Sequence, residues 1–146
     1  MATNSEILSN FKILQGVNLH QVSELAQQCA EVSVQEGATI FREGEESRYL
    51  IFLLEGTLEL KKSGHICDVP PLSLVGEMAA FTDEPRSATL VARSAARYLS
   101  LTEETFQRLI EADRDFGFHF YRNLSVTLMN HLKKNNLLVE FYQLME

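Results

Sequence analysis

Gly37, Gly44, Gly56 and Gly64 cut the chain beyond Val32 into short runs, and this punctuation limits the fold more than any other feature. The runs are ATIFR, YLIFLLE, TLELKK and HICDV, and two more, ATLVA and RYLSL, follow further on. They are rich in β-branched, aromatic and leucine residues, and such runs between glycine turns read as strands. Leu58 and Leu60 alternate with Glu59 and Lys61, the period-two pattern of a strand with one buried face. Helical patterns flank this region. Asn18 is placed to cap LHQVSELAQQCA, with Gln21 as capping-box partner, and Leu19, Val22, Leu25, Ala26 and Cys29 recur at helical spacing. Thr102 is placed to cap EETFQRLIEA, which opens with two acids. The order predicts an α+β fold: a small antiparallel barrel or β-roll with N-terminal helices and a long C-terminal helix. One domain is expected over 1–146, with the roll at about 32–101 and the final helix at about 115–142.

Composition excludes several classes. At 146 residues and 45% hydrophobic content, the chain suits one domain with a real core. The net charge of −7 argues against a nucleic-acid backbone as the main partner, because such binding relies on clustered Lys and Arg. No apolar run is long enough to span a bilayer, and MATNSEILSNFK lacks the basic and apolar order of a secretory signal. Cys29 and Cys67 have no metal spacing and read as reduced thiols, so a cytoplasmic location is expected. His20, His65, His119 and His131 show no metal or triad spacing and read as surface or packing residues, and no Ser or Cys sits in a nucleophile elbow. No enzyme and no cofactor are expected.

The stretch GEMAAFTDEPRSATL asks for a special site. Gly76 permits a sharp turn, and Glu77 to Phe81 favour a short helix, ended by Thr82-Asp83-Glu84-Pro85. Arg86 is then expected to enter a strand that begins Ser87-Ala88-Thr89. A helix N-terminus and a guanidinium converging on one point make a place for a single phosphate. A carboxylate at Glu77 is unsuited to a phosphate and suited to accepting from hydroxyls, while Ala79, Ala80 and Ala88 leave room for the body of a ligand.

With Gly76-Glu77-Met78-Ala79 and Arg86-Ser87-Ala88-Thr89 in order, the stretch resembles the phosphate-binding cassette of cyclic nucleotide-binding domains. EGATIFREGE and FLLEGTLEL are similar to the first roll strands of that family, and FKILQGVNLHQVSELAQQ to its N-terminal helices, so the likeness runs from about 11 to 137. The resemblance implies that Glu77 binds the ribose 2′-OH and Arg86 the cyclic phosphate. Amides near Met78 and Ala88 and the Ser87 hydroxyl would complete the phosphate shell. One departure is the approach Pro70-Pro71-Leu72-Ser73-Leu74-Val75, where the family often has a glycine-rich segment.

In the last helix Tyr121, Leu124, Leu128, His131, Asn135, Leu138, Tyr142 and Met145 recur at alternating steps of three and four, a heptad seam that suits a homodimer. Val126, Met129 and Leu132 lie off that seam and are expected to cover the domain. Asn135-Asn136 has two readings: a register-setting polar residue in the seam, or an amide pair that reads the purine edge. The helix is similar to that of catabolite activator-like transcription factors, but no DNA-reading segment is expected after Glu146. The expectation is a jelly-roll or cupin-like roll acting as a stand-alone cytoplasmic sensor of cAMP, with cGMP second. It would signal to a protein effector and bind neither DNA nor membrane. The alternatives are a degenerate roll serving as a dimeric interaction module, and a metal enzyme of cupin-like architecture, for which only His65 lies within the strands.

Overall fold

The structure is a computed structural model that describes residues 2–134 and 143–145. It contains two four-stranded antiparallel sheets. The first has the order β1 (Ala30–Val34), β8 (Ala96–Thr102), β3 (Tyr49–Glu55), β6 (Leu74–Val75). The second has the order β2 (Thr39–Phe41), β7 (Thr89–Ala92), β4 (Leu58–Lys62), β5 (His65–Val69). The antiparallel roll expected from the glycine punctuation is therefore present, running from β1 at Ala30 to β8 at Thr102.

The run YLIFLLE becomes β3, and its uninterrupted apolar character has a direct cause. Ile51 and Leu53 point between the sheets, where they pack with Leu58, Val69, Leu90 and Tyr98. Leu50, Phe52 and Leu54 point the other way, into a second core beneath the helices. A strand buried on both faces has no polar side to alternate. In the second core Phe11, Leu14, Val22, Leu25, Phe106, Phe116 and Phe120 cover the sheet.

Helices α1 (Asn4–Leu8) and α2 (Leu19–Gln28) precede the roll, with a 3-10 turn at Lys12–Leu14 between them. The α2 capping box forms as expected between Asn18 and Gln21. Gln21 also donates from Nε2 to Asp113 and Asp115, tying α2 to the other end of the chain. Leu19 departs from its expected inward face: at the first position of the helix it is 73% exposed. Cys29 is the C-cap and packs against the core, where burial pushes its thiol up to about 12. Thr102 caps α4 (Glu103–Ala112), as expected.

Helix α5 spans Arg114–Lys134 in the described residues. Phe116, Phe120 and Asn123 fix its inward face; Asn123 donates from Nδ2 to the carbonyls of Ile13 and Gln15, both at 2.8 Å. That rotation changes the seam read from the sequence. Leu124 turns into the core and His131 toward a cavity, whereas Phe118, Tyr121, Ser125, Leu128 and Leu132 form the exposed column, again at steps of three and four. Val126, Met129 and Leu132 do not cover the domain; each is at least 40% exposed. Asn135, Leu138 and Tyr142 lie outside the described residues. No helix among the described residues is long and apolar enough to cross a membrane.

Candidate functional site

Gly76 ends β6 and opens α3 (Glu77–Phe81) with φ at 93°, the left-handed region. A Cβ there would lie 2.6 Å from Arg86 Nη1 and 2.8 Å from the Tyr49 carbonyl oxygen, so the position has no room for a side chain. The segment leading to it is strained as well. Leu72, with φ at 69°, donates its N–H to Leu53, and Ser73 accepts from the Leu53 N–H, so two backbone bonds to β3 pin the Pro70-Pro71 turn.

Arg86 lies in the loop before β7, which begins at Thr89 rather than at Ser87 as read from the sequence. The reason is that the Arg86 backbone is already engaged elsewhere: its N–H donates to Glu45 and its carbonyl accepts from Gly44. The side chain is 2% exposed. Nε donates to Ser47 Oγ at 2.9 Å, Nη2 to the Tyr49 carbonyl at 3.0 Å and Nη1 to the Gly76 carbonyl at 3.4 Å. The guanidinium carbon sits 4.1 Å from the Phe41 ring centre and 4.5 Å from that of Tyr49. All these partners are neutral, and among the described residues no carboxylate forms an ion pair with Arg86. Burial lowers its proton affinity, opposed by Tyr49, Glu45 and Glu77. Three of the five guanidinium N–H groups are engaged, which leaves two.

Glu77 is half-buried at the start of α3. Burial raises its carboxyl above the ordinary range, against the opposing pull of its own backbone N–H, His131 and Arg86. Glu77 and Arg86 do not bond each other. They stand on the wall of one cavity of about 350 Å³, which also touches Gly76, Ala79, Ser87 and Ala88. Of the residues picked out in the sequence, these six thus meet at one cavity; Met78 lies in α3, and Asn135 and Asn136 fall outside the described residues. The far wall is Leu60, Val69 and Cys67 from β4 and β5. His131, which reads from the sequence as a surface, packing or seam residue, lines the cavity from α5.

Sequence reasoning missed Phe41, Ser47 and Tyr49 as the holders of Arg86. Nothing in a neutral serine and two aromatics, about forty residues upstream, marks them as partners of an arginine. Arg97 on β8 is mostly covered, donating to Glu31 and Glu55 at 2.7 and 2.9 Å and to Asn4 at 2.6 Å.

A model of the cyclic nucleotide-binding domain matches residues 31–113, and the chain belongs to that family. It is 30% identical over 118 residues to a cyclic nucleotide-gated potassium channel of Mesorhizobium japonicum, which covers 77% of this chain and 33% of the channel. It is 27% identical over 113 residues to the cAMP-dependent protein kinase regulatory subunit of Dictyostelium discoideum, covering 71% of this chain and 35% of that subunit. The chain spans about a third of the length of these two curated relatives. In fold it matches the N-terminal domain of a transcriptional regulator from Streptomyces coelicolor with a TM-score of 0.75 at 25% identity, over 90% of this chain and 94% of that one. The family is a ligand-binding, regulatory one. Among the described residues no cluster of three or more His, Cys, Asp or Glu is placed to hold a metal ion.

Proposed function

We propose that the chain is a sensor that binds a cyclic purine mononucleotide, cAMP in preference to cGMP, and passes occupancy through α5 to a protein partner. The observation that carries this reading is the buried Arg86 cation with no carboxylate against it. Burying a charge without a counter-ion is costly, on the order of several kcal/mol. A cyclic phosphate supplies the missing anion. It takes the two remaining guanidinium N–H groups, the Ser87 hydroxyl and amides near Met78 and Ala88. Glu77 accepts from the ribose 2′-OH, and Ala79 and Ala88 leave space for the ring system. Purine choice is assigned to Asn135 and Asn136.

Transmission follows from α3. Glu77 begins that helix and Phe81 ends it, with the Phe81 ring 5.3 Å from Phe106, 6.3 Å from Phe120 and 5.8 Å from Tyr121. A ligand that draws on Glu77 therefore loads the aromatic cluster on which α5 rests, and shifts an existing equilibrium in that helix. The exposed column Phe118, Tyr121, Leu128 and Leu132 fits a homodimer through α5. Placing aspartates at Phe118 and Leu132 should leave a monomer in light scattering; a dimer that persists would place the contact elsewhere.

Titration calorimetry with cAMP and with cGMP tests the main reading. Binding of cAMP, tighter than cGMP, is expected. If neither nucleotide binds, the roll is a dimeric interaction module and the sensor reading fails.

A further inference from the structure

The described part of α5 meets the Arg86 cavity through a titratable side chain. His131 lines that cavity and also a second one, of about 420 Å³, on the other side of Glu77. The two cavities share Pro70, Ser73, Leu74, Glu77 and His131. The second is closed mainly by apolar groups, among them Phe11, Leu72, Leu124 and Leu128. The five shared residues stand between the nucleotide cavity and an apolar space under α5; His131 among them is exposed to solvent, and its charge acts on the Glu77 carboxyl.

The charged groups that line these cavities are Lys12 from the 3-10 turn, Asp68 from β5, Glu77 from α3 and Arg86 from the loop before β7; Cys67 on β5 is the nearby thiol. Asp68 is already paired with Arg93 at 2.6 Å and Lys12 lines only the second cavity, so in the Arg86 cavity one cation, Arg86, stands against one anion, Glu77. A cyclic phosphate adds one more negative charge and upsets that balance. Histidine is the side chain that gains a positive charge between pH 5 and 8. Of the titratable groups lining the two cavities it alone belongs to α5, the element through which occupancy is proposed to pass.

We infer that His131 couples nucleotide binding to proton uptake, so that the domain binds its nucleotide more tightly as pH falls through the imidazole range. The inference rests on the nucleotide reading above. Its mechanism is electrostatic: phosphate at Arg86 favours the imidazolium, and the imidazolium draws α5 toward Glu77 and the ligand. By reciprocity, acidification favours the bound state by the same factor. An added opposite charge favours the protonated form, and the linked gain in affinity is expected to be roughly three- to tenfold.

The test is calorimetry with cAMP from pH 8 to pH 6, repeated in two buffers of different ionisation enthalpy to count protons. Wild type should gain roughly three- to tenfold in affinity relative to H131Q over that range, with net proton uptake. H131Q should lack the uptake, and H131K should bind at pH 8 as wild type does at pH 6. Equal pH profiles for wild type and H131Q, in proteins that do bind cAMP, overturn the inference and leave the nucleotide reading standing. No binding by wild type at any pH overturns both.

Discussion

Arg86 and Arg97 lie eleven residues apart on either side of β7, and their surroundings are opposite. Arg97 has Glu31 and Glu55 against its guanidinium and Asn4 as a further acceptor. Its electrostatic demand is met by the protein, and those bonds join α1, β1, β3 and β8. Arg86 is more deeply buried, yet it faces two carbonyls, a hydroxyl and two aromatic rings. One arginine is a structural tie; the other is a buried cation whose partners are all neutral. What separates them is the charge of the partners, and neither exposure nor sequence reveals it.

The largest effect expected from this contrast is at Arg86. Arg86→Lys keeps the charge but loses the two-pronged geometry, so affinity for cAMP should fall roughly ten- to a hundredfold, and Arg86→Ala should fall further. Glu77→Gln should weaken binding least of the three, because an amide oxygen still accepts a hydroxyl. Circular dichroism should show all three folded. Wild-type affinity in Arg86→Ala would end the distinction between the two arginines.

Gly76→Ala is the next largest. The new methyl meets Arg86 Nη1 and the Tyr49 carbonyl at a left-handed backbone position, and a loss of about 1–3 kcal/mol in chemical denaturation is expected, with weakened binding. An unchanged midpoint would mean that Arg86 is not held against that turn.

A third effect is set by pH. The folded-state proton affinity of Glu77 is raised by burial. The stability linked to its protonation is present below the ordinary carboxylate range, near about 4.3, and is lost as pH rises through the raised value. Binding runs the other way, since the carboxylate is the better acceptor. On acidification cAMP affinity should therefore decline at a pH above about 4.3, opposite in sign to the His131 effect. Glu77→Gln should abolish that decline; its persistence in the variant would assign it to another group.

The smallest effects concern the structural tie and the cysteines. Arg97→Ala should lower the melting temperature slightly and leave cAMP affinity unchanged, because its carboxylate partners are about half exposed and such pairs contribute little. An effect on affinity as large as that of Arg86→Lys would erase the contrast. Cys67 is exposed on the cavity wall, whereas the Cys29 thiol is pushed up to about 12 by burial. An alkylating reagent at pH 8 should modify Cys67 first, more slowly with cAMP present; equal rates with and without nucleotide would place the ligand away from β5.

Local features of this fold were legible in the sequence because their causes are local. The Asn18–Gln21 box, the Thr102 cap and the Gly76 turn each depend on residues within one helical turn. The order of residues from Gly76 to Thr89 likewise brought Glu77, Arg86 and the small residues to one cavity. What was illegible depends on distant contacts. Ser47 and Tyr49 reach Arg86 only after the β2–β3 loop folds back on it. The rotation of α5 is set by Asn123 bonding the 3-10 turn, and two neighbouring apolar columns on one helix look alike until that bond chooses between them. That His131 also lines a cavity depends on the same rotation.

The pairing of β1 with β8 sets a condition on how the chain acquires its shape during synthesis. Ala30 pairs with Ser100 and Val34 with Ala96, while β2 waits for β7, so neither sheet can be completed from the first half of the chain. Among the described strands only the β4–β5 hairpin closes locally, Lys62 beside His65. At ribosomal speeds of about 5–20 residues per second, the first strand waits several seconds for its partner. During that interval the doubly apolar β3 lacks its β8 neighbour, and an unpaired apolar edge invites association with other chains. Synthesis of this domain therefore has a vulnerable stretch that ends only when β8 has left the ribosome.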